Sequence, residues 1–143
     1  MKKLTTLFFV LCIIIINARA QNTKIYGGKH YDRFLGCLDC DGESPNSIWS
    51  PFTIYGSTHD PKSIWNELGP YGSVKSNFSP YNLNAKYPPR IIDANGKFLG
   101  YLTINKNNPE RFRGAIADLI CFKREMVLKD GVEKYAEIFT RKY

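Results

Sequence analysis

Histidine is almost absent from this chain, and its scarcity excludes most familiar hydrolytic chemistry. The 143 residues hold two, His30 and His59. Neither sits in a Ser-His-Asp or nucleophile-elbow context, and the Asp60 beside His59 reads as a helix cap. No catalytic residue is therefore assigned. Cysteine is also scarce, with four in all. Cys37-Leu-Asp-Cys40 has the spacing of half a zinc site, yet only Cys121, His30 and His59 could complete it and no second paired motif exists. The acidic run Asp32, Asp39, Asp41 and Glu43 lacks the alternation and distal glutamate of a calcium loop. No metal and no cofactor are expected. No apolar run after Ile16 is long enough to span a membrane. Bases outnumber acids by 20 to 13, but the C-terminal cluster Lys123, Arg124, Lys129, Lys134, Arg141 and Lys142 is interleaved with Glu125, Asp130, Glu133 and Glu137. Such mixing marks a solvated helix face, so nucleic acid is not an expected partner.

What is present begins with a secretory signal over residues 1–20. Lys2 and Lys3 form a basic start, Leu7 to Ile16 an apolar run, and Ala18-Arg19-Ala20 a small-x-small cleavage site that leaves Gln21 first. Loss of Lys2, Lys3 and Arg19 lowers the net charge from +7 to +4. Residues 21–143 suffice for a single exported domain, periplasmic or extracellular. In that oxidising setting two of Cys37, Cys40 and Cys121 can pair. A Cys37–Cys40 bridge closes a short loop, whereas a bridge from either to Cys121 would constrain more chain. A redox role for Cys37 and Cys40 is disfavoured, because Asp39 and Asp41 raise thiol pKa values and no helix follows. A structural disulfide is the preferred reading of that pair, and Cys121, beside Leu119, Ile120 and Phe122, is the expected leftover thiol.

Three consecutive 16-residue stretches, 42–57, 58–73 and 74–89, align without gaps. They superpose Ser47, Ser63 and Ser79, then Trp49, Trp65 and Tyr81, then Tyr55, Tyr71 and Tyr87, which implies one small unit used three times. Ser44, Asp60 and Ser76 read as caps of short helical turns, with Pro45 and Pro61 at the first position. The third copy, with Asn77 and Pro80, should be looser. Two hairpins flank the array. One spans Lys24 to Cys40 with a Gly27-Gly28 turn, and the other spans 90–105 with Asn95-Gly96 as its turn. Their Phe-Leu-Gly-x-Leu strands lie 64 positions apart, and the two hairpins can join one antiparallel sheet. In the second, Phe98, Gly100, Leu102 and Ile104 should share one face and Leu99, Tyr101 and Thr103 the other. A helical end, 108–143, starts with an Asn108 cap and Pro109, breaks at Asp130-Gly131, and resumes through an Asp130/Glu133 capping box. The expected fold class is α+β.

Ser63-Ile64-Trp65-Asn66, Tyr71-Gly72-Ser73, Ser79-Pro80-Tyr81-Asn82, Pro88-Pro89-Arg90-Ile91-Ile92-Asp93 and Gly100-Tyr101-Leu102-Thr103-Ile104-Asn105 occur in this order. The string resembles a family of small exported bacterial proteins with repeated Ser-Ile-Trp-Asn and Tyr-Gly-Ser segments and a Gly-Tyr-x-Thr-x-Asn hairpin. The resemblance covers about residues 31–105 and departs at Ser50, where the pattern prefers asparagine. It implies the architecture and export, and carries no catalytic residue across. The function expected is non-catalytic binding in the envelope or outside the cell, with a protein or a glycan as partner. A glycan would stack on Trp49, Trp65, Tyr81, Tyr55 or Tyr71, although the tryptophans read first as core anchors. A small metal- or thiol-dependent enzyme using Cys37, Cys40 and a histidine is the remaining alternative.

Overall fold

Short β-branched and aromatic runs beside glycine turns build the two hairpins. The computed structural model describes residues 22–140, so the expected signal and its cleavage site lie outside the described residues. Strands β1 (Lys24–Gly27) and β2 (Arg33–Cys37) form one hairpin, and β3 (Arg90–Ile92) and β4 (Phe98–Tyr101) the other. They join in one antiparallel sheet of order β2-β1-β3-β4. Ile25 opposes Ile91 at its centre, and both are fully buried. In the second turn Asp93 Oδ1 accepts from the Asn95 and Lys97 N–H groups at 2.9 and 2.8 Å, and Gly96 takes a φ of 83°.

The two hairpins behave alike beyond their strands. The Cys37 N–H donates to Asn46 O at 2.8 Å, and the Tyr101 N–H to Glu110 O at 2.8 Å. A Cβ on Gly36 would press on Ile48 and Asn46, and one on Gly100 on Glu110 and Phe112. Asn108-Pro109 thus occupies the place that Ser44-Pro45 holds after the first hairpin. Each makes a side-chain turn, with Ser44 Oγ accepting from the Asn46 N–H and Asn108 Oδ1 from the Glu110 N–H. This corrects the expected helix start. Asx and ST turns satisfy the same N–H that a helix cap would, and the helix that follows begins only at Ala115.

Residues 42–89 contain no helix, contrary to the expected helical turns. Ser44, Asp60 and Ser76 accept from N–H groups two residues on. Ser47, Ser63 and Ser79, all fully buried, then take the N–H groups of Trp49, Trp65 and Tyr81, each at 3.1 Å. Successive side-chain acceptors compete away the helical ladder. The third stretch is not looser than the second: Asn82 Nδ2 donates to Ser76 O at 3.0 Å, as Asn66 Nδ2 donates to Asp60 O at 3.1 Å. In the first stretch Ser50 is too short for this, and Thr53 Oγ1 bonds Ser47 O and Ser50 O instead.

Three helices close the chain: α1 (Ala115–Phe122), α2 (Arg124–Asp130) and α3 (Glu133–Thr140). Gly131, with φ 92°, ends α2. The expected capping box is replaced, because Asp130 Oδ2 accepts from the Tyr135 hydroxyl at 2.7 Å. Phe139 of α3 stacks on Trp49 with centroids 5.6 Å apart, fastening the helical end to the middle segment. The architecture is α+β, and no helix among the described residues is long and apolar enough to cross a membrane.

Candidate functional site

The aromatics divide into a buried column and a half-buried row. Trp49 and Trp65 are fully buried, with centroids 5.5 Å apart. The Trp49 indole N–H donates to Leu38 O at 2.7 Å, and that of Trp65 to Ile48 O at 2.6 Å. Tyr81 ends the column at 6% exposure, stacked by the Arg124 guanidinium 3.9 Å from its centroid. In this arrangement the tryptophans offer no ring face to a ligand. Tyr55 and Tyr71 are half-buried. Tyr55 meets Phe34 edge-on at 5.0 Å, and the Tyr71 ring fills the space that a Gly27 Cβ would need. Burial pushes the phenols of both above their usual range.

The row crosses the face of the sheet opposite Ile25 and Ile91. Phe34 pairs with Tyr26, Tyr26 with Arg90, and Arg90 with Tyr101, one residue from each strand. Directly opposed residues project to one face, so these four side chains form a continuous band, all of them partly exposed. Phe98 joins the band through a correction to the expected alternation. The β3–β4 register shifts between Ile91 and Ile92, Leu99 falls between the pairs, and Phe98 meets Tyr101 edge-on at 5.0 Å. An extra residue in one strand re-aims its neighbours, which here puts two rings on the same side.

Arg90 is the charged centre of the row. Its guanidinium lies 4.0 Å from the Tyr31 centroid and 5.4 and 5.7 Å from those of Phe98 and Tyr101. Such cation–π contacts hold it in place, while Nη2 reaches the Tyr101 hydroxyl at 3.5 Å. Tyr31 is held at a positive φ of 54° in the first hairpin's turn. That conformation is uncommon for a residue with a side chain and tends to persist where function needs it. Burial raises the Tyr31 phenol pKa, against the lowering effect of Arg90. The band therefore offers aromatic rings and hydroxyls around one fixed cation.

Cys37 and Cys40 form a disulfide at the end of β2, both buried, and Cys121 is a free buried thiol. Desolvation pushes the Cys121 thiol up to about 12. His30 and His59 are exposed, and His59 Nδ1 lies 3.0 Å from Thr58 Oγ1. Among the described residues no three His, Cys, Asp or Glu side chains gather to hold a metal ion.

Sequence reasoning missed the row, because its members are scattered over four strands and only the pairing register unites them. It also missed Phe52 and Leu68, each 97% exposed. They occupy equivalent turns, closed by the Thr53 N–H to Ser50 O and the Gly69 N–H to Asn66 O. A large apolar residue one step before a turn closes was the available signal. Comparison with protein-family models, with curated proteins and with solved structures finds no match to this chain.

Proposed function

We propose that this is a non-catalytic exported binding protein, and that its ligand is a glycan lying across the outer face of the sheet. The observation that carries the reading is the band Phe34–Tyr26–Arg90–Tyr101, with Phe98 beside it, half-exposed and set in register. Adjacent strands are about 4.8 Å apart, so rings recur at a step comparable to a pyranose ring. Flat aromatic faces take up the apolar face of a sugar, while the tyrosine hydroxyls and Arg90 donate to its oxygens. The three 16-residue stretches serve as one repeated scaffold beneath the first hairpin, in keeping with the family resemblance. Export is part of the same proposal, with the mature chain beginning at Gln21. Affinity electrophoresis through gels loaded with neutral and acidic polysaccharides, together with cosedimentation on peptidoglycan, tests it. Retardation or pelleting that Tyr26→Thr and Tyr101→Thr abolish is expected. Full binding by both variants refutes the placement.

A second reading has its own observation. Phe52 and Leu68 project almost fully into solvent from equivalent turns, as a contact for a protein partner would. Capture of an envelope protein that Phe52→Ser with Leu68→Ser abolishes, and that the two row variants leave intact, would move the function to that edge.

A further inference from the structure

Arg90, at the middle of the sheet-face row, has no carboxylate within ion-pair distance among the described residues. The two hairpins carry three acids, and each is engaged elsewhere. Asp32 pairs with Arg33 at 3.8 Å, Asp39 accepts from the Thr23 N–H and hydroxyl at 2.6 and 2.9 Å, and Asp93 holds the second turn. Tyr31, Phe98 and Tyr101 fix the guanidinium by ring contacts without neutralising it. Its Nε is sealed from solvent and has no partner. Nη1 also bonds to no described residue, yet it is not among the sealed atoms, and the same holds for the hydroxyl of Tyr26, the cross-strand neighbour. Lys24 stands two residues before Tyr26 on β1, half-buried on the same side of the strand, and it too has no ion pair among the described residues. The open polar atoms of this face are therefore an unneutralised guanidinium, an ammonium and a phenol, all of them donors.

We propose that the ligand of this face is an acidic glycan whose sugar carboxylate is received by Arg90 Nη1 beside the Tyr26 hydroxyl, an assignment that rests on the glycan reading above and narrows it to one class of sugar. A half-buried cation has lost part of its hydration, and stacking on rings restores only part of that loss. An ionised carboxylate supplies the missing counter-charge, which a neutral sugar hydroxyl does not, and a charge-assisted hydrogen bond is roughly twice as strong as a neutral one. The guanidinium is already held over the Tyr31 ring at 4.0 Å, so little side-chain freedom is lost when the ligand arrives. Arg90 is in this account the residue that sets specificity, and the rings around it supply the stacking surface.

Affinity electrophoresis of the full mature chain through polygalacturonate, alginate and hyaluronate, each beside its carboxyl methyl ester, separates charge from sugar shape. Retention by at least one acid is expected to be about tenfold stronger than by its ester, the worth of one hydrogen bond to a charged group. Arg90→Gln is expected to bring retention by that acid down to the level of its ester. Equal retention by acid and ester leaves the glycan reading standing and overturns the carboxylate, whereas no retention by acids, esters or peptidoglycan removes both. Retention by polyglutamate as strong as by the acidic glycans also overturns the proposal, because an acidic peptide would then satisfy the face. An undiminished preference in Arg90→Gln refutes the role of Arg90. Should that variant fail to fold, the wild-type Arg90 Nε–H resonance gives the answer: trigalacturonate should shift it and the methyl ester should not, and no shift with the acid refutes the site.

Discussion

The buried column and the sheet-face row draw on the same residue types for opposite purposes. In the column, each indole N–H finds a carbonyl earlier in the chain, Leu38 in the first hairpin segment for Trp49 and Ile48 in the preceding stretch for Trp65. The polar end is satisfied inside, so the whole ring can be buried. In the row, Phe34, Tyr26, Tyr101 and Phe98 contact one another and Arg90, yet every one keeps part of its surface in solvent. The difference lies in how far packing covers each ring. The indoles, with their N–H groups bonded inside, are wholly covered and act as core anchors, whereas the rings of the row keep part of their surface at the solvent.

The sharpest break of that comparison is Trp65→Ala. Removing a fully buried indole together with its bond to Ile48 should cost about 3–5 kcal/mol, read as a shift in the urea midpoint. A loss below 1 kcal/mol would show that the column is not the core. Asn66→Ala comes next. It leaves Asp60 O and the Leu68 N–H without their side-chain partner, and about 1–3 kcal/mol should be lost. Asn82→Ala should behave alike, and a large difference between the two would separate the second stretch from the third.

Alkali tests the column's far end. Desolvation raises the Cys121 pKa from 9.0 to about 12 and raises that of Tyr81 as well. Above pH 9 the unfolded chain loses the thiol proton while the folded chain keeps it, so stability should be complete below pH 9 and decline as pH rises toward 12. Cys121→Ala should flatten part of that decline in a pH series of melts. An unchanged slope would contradict the buried placement of the thiol.

Part of this division was legible in the sequence. Asn95-Gly96 between apolar runs identifies the second hairpin, and Trp49 and Trp65 read as anchors because their stretches have little else to bury. Asn108-Pro109 was misread because a cap and an Asx turn use the same residues, although Ser44-Pro45, in the matching place 64 positions earlier, is the local hint. The row was not legible. Its members meet only through strand register, and Phe98 reaches the same face as Tyr101 through a shift that no composition announces. The burial of Arg124 on Tyr81 was hidden for a related reason: in sequence Arg124 is one base within a mixed-charge cluster, and only packing takes it out of water.

Row substitutions should have the smallest effect on stability. Tyr26→Thr and Tyr101→Thr keep strand propensity and should cost about 1 kcal/mol each. The most direct measurement of the division between column and row therefore pairs two readouts on one protein, urea unfolding and glycan retention of the Tyr26→Thr/Tyr101→Thr double variant. A cooperative transition displaced by about 2 kcal/mol, with retention lost on the polysaccharide that the wild type binds, is the predicted result. A double variant that binds as the wild type does, or one that unfolds as severely as Trp65→Ala, would contradict it.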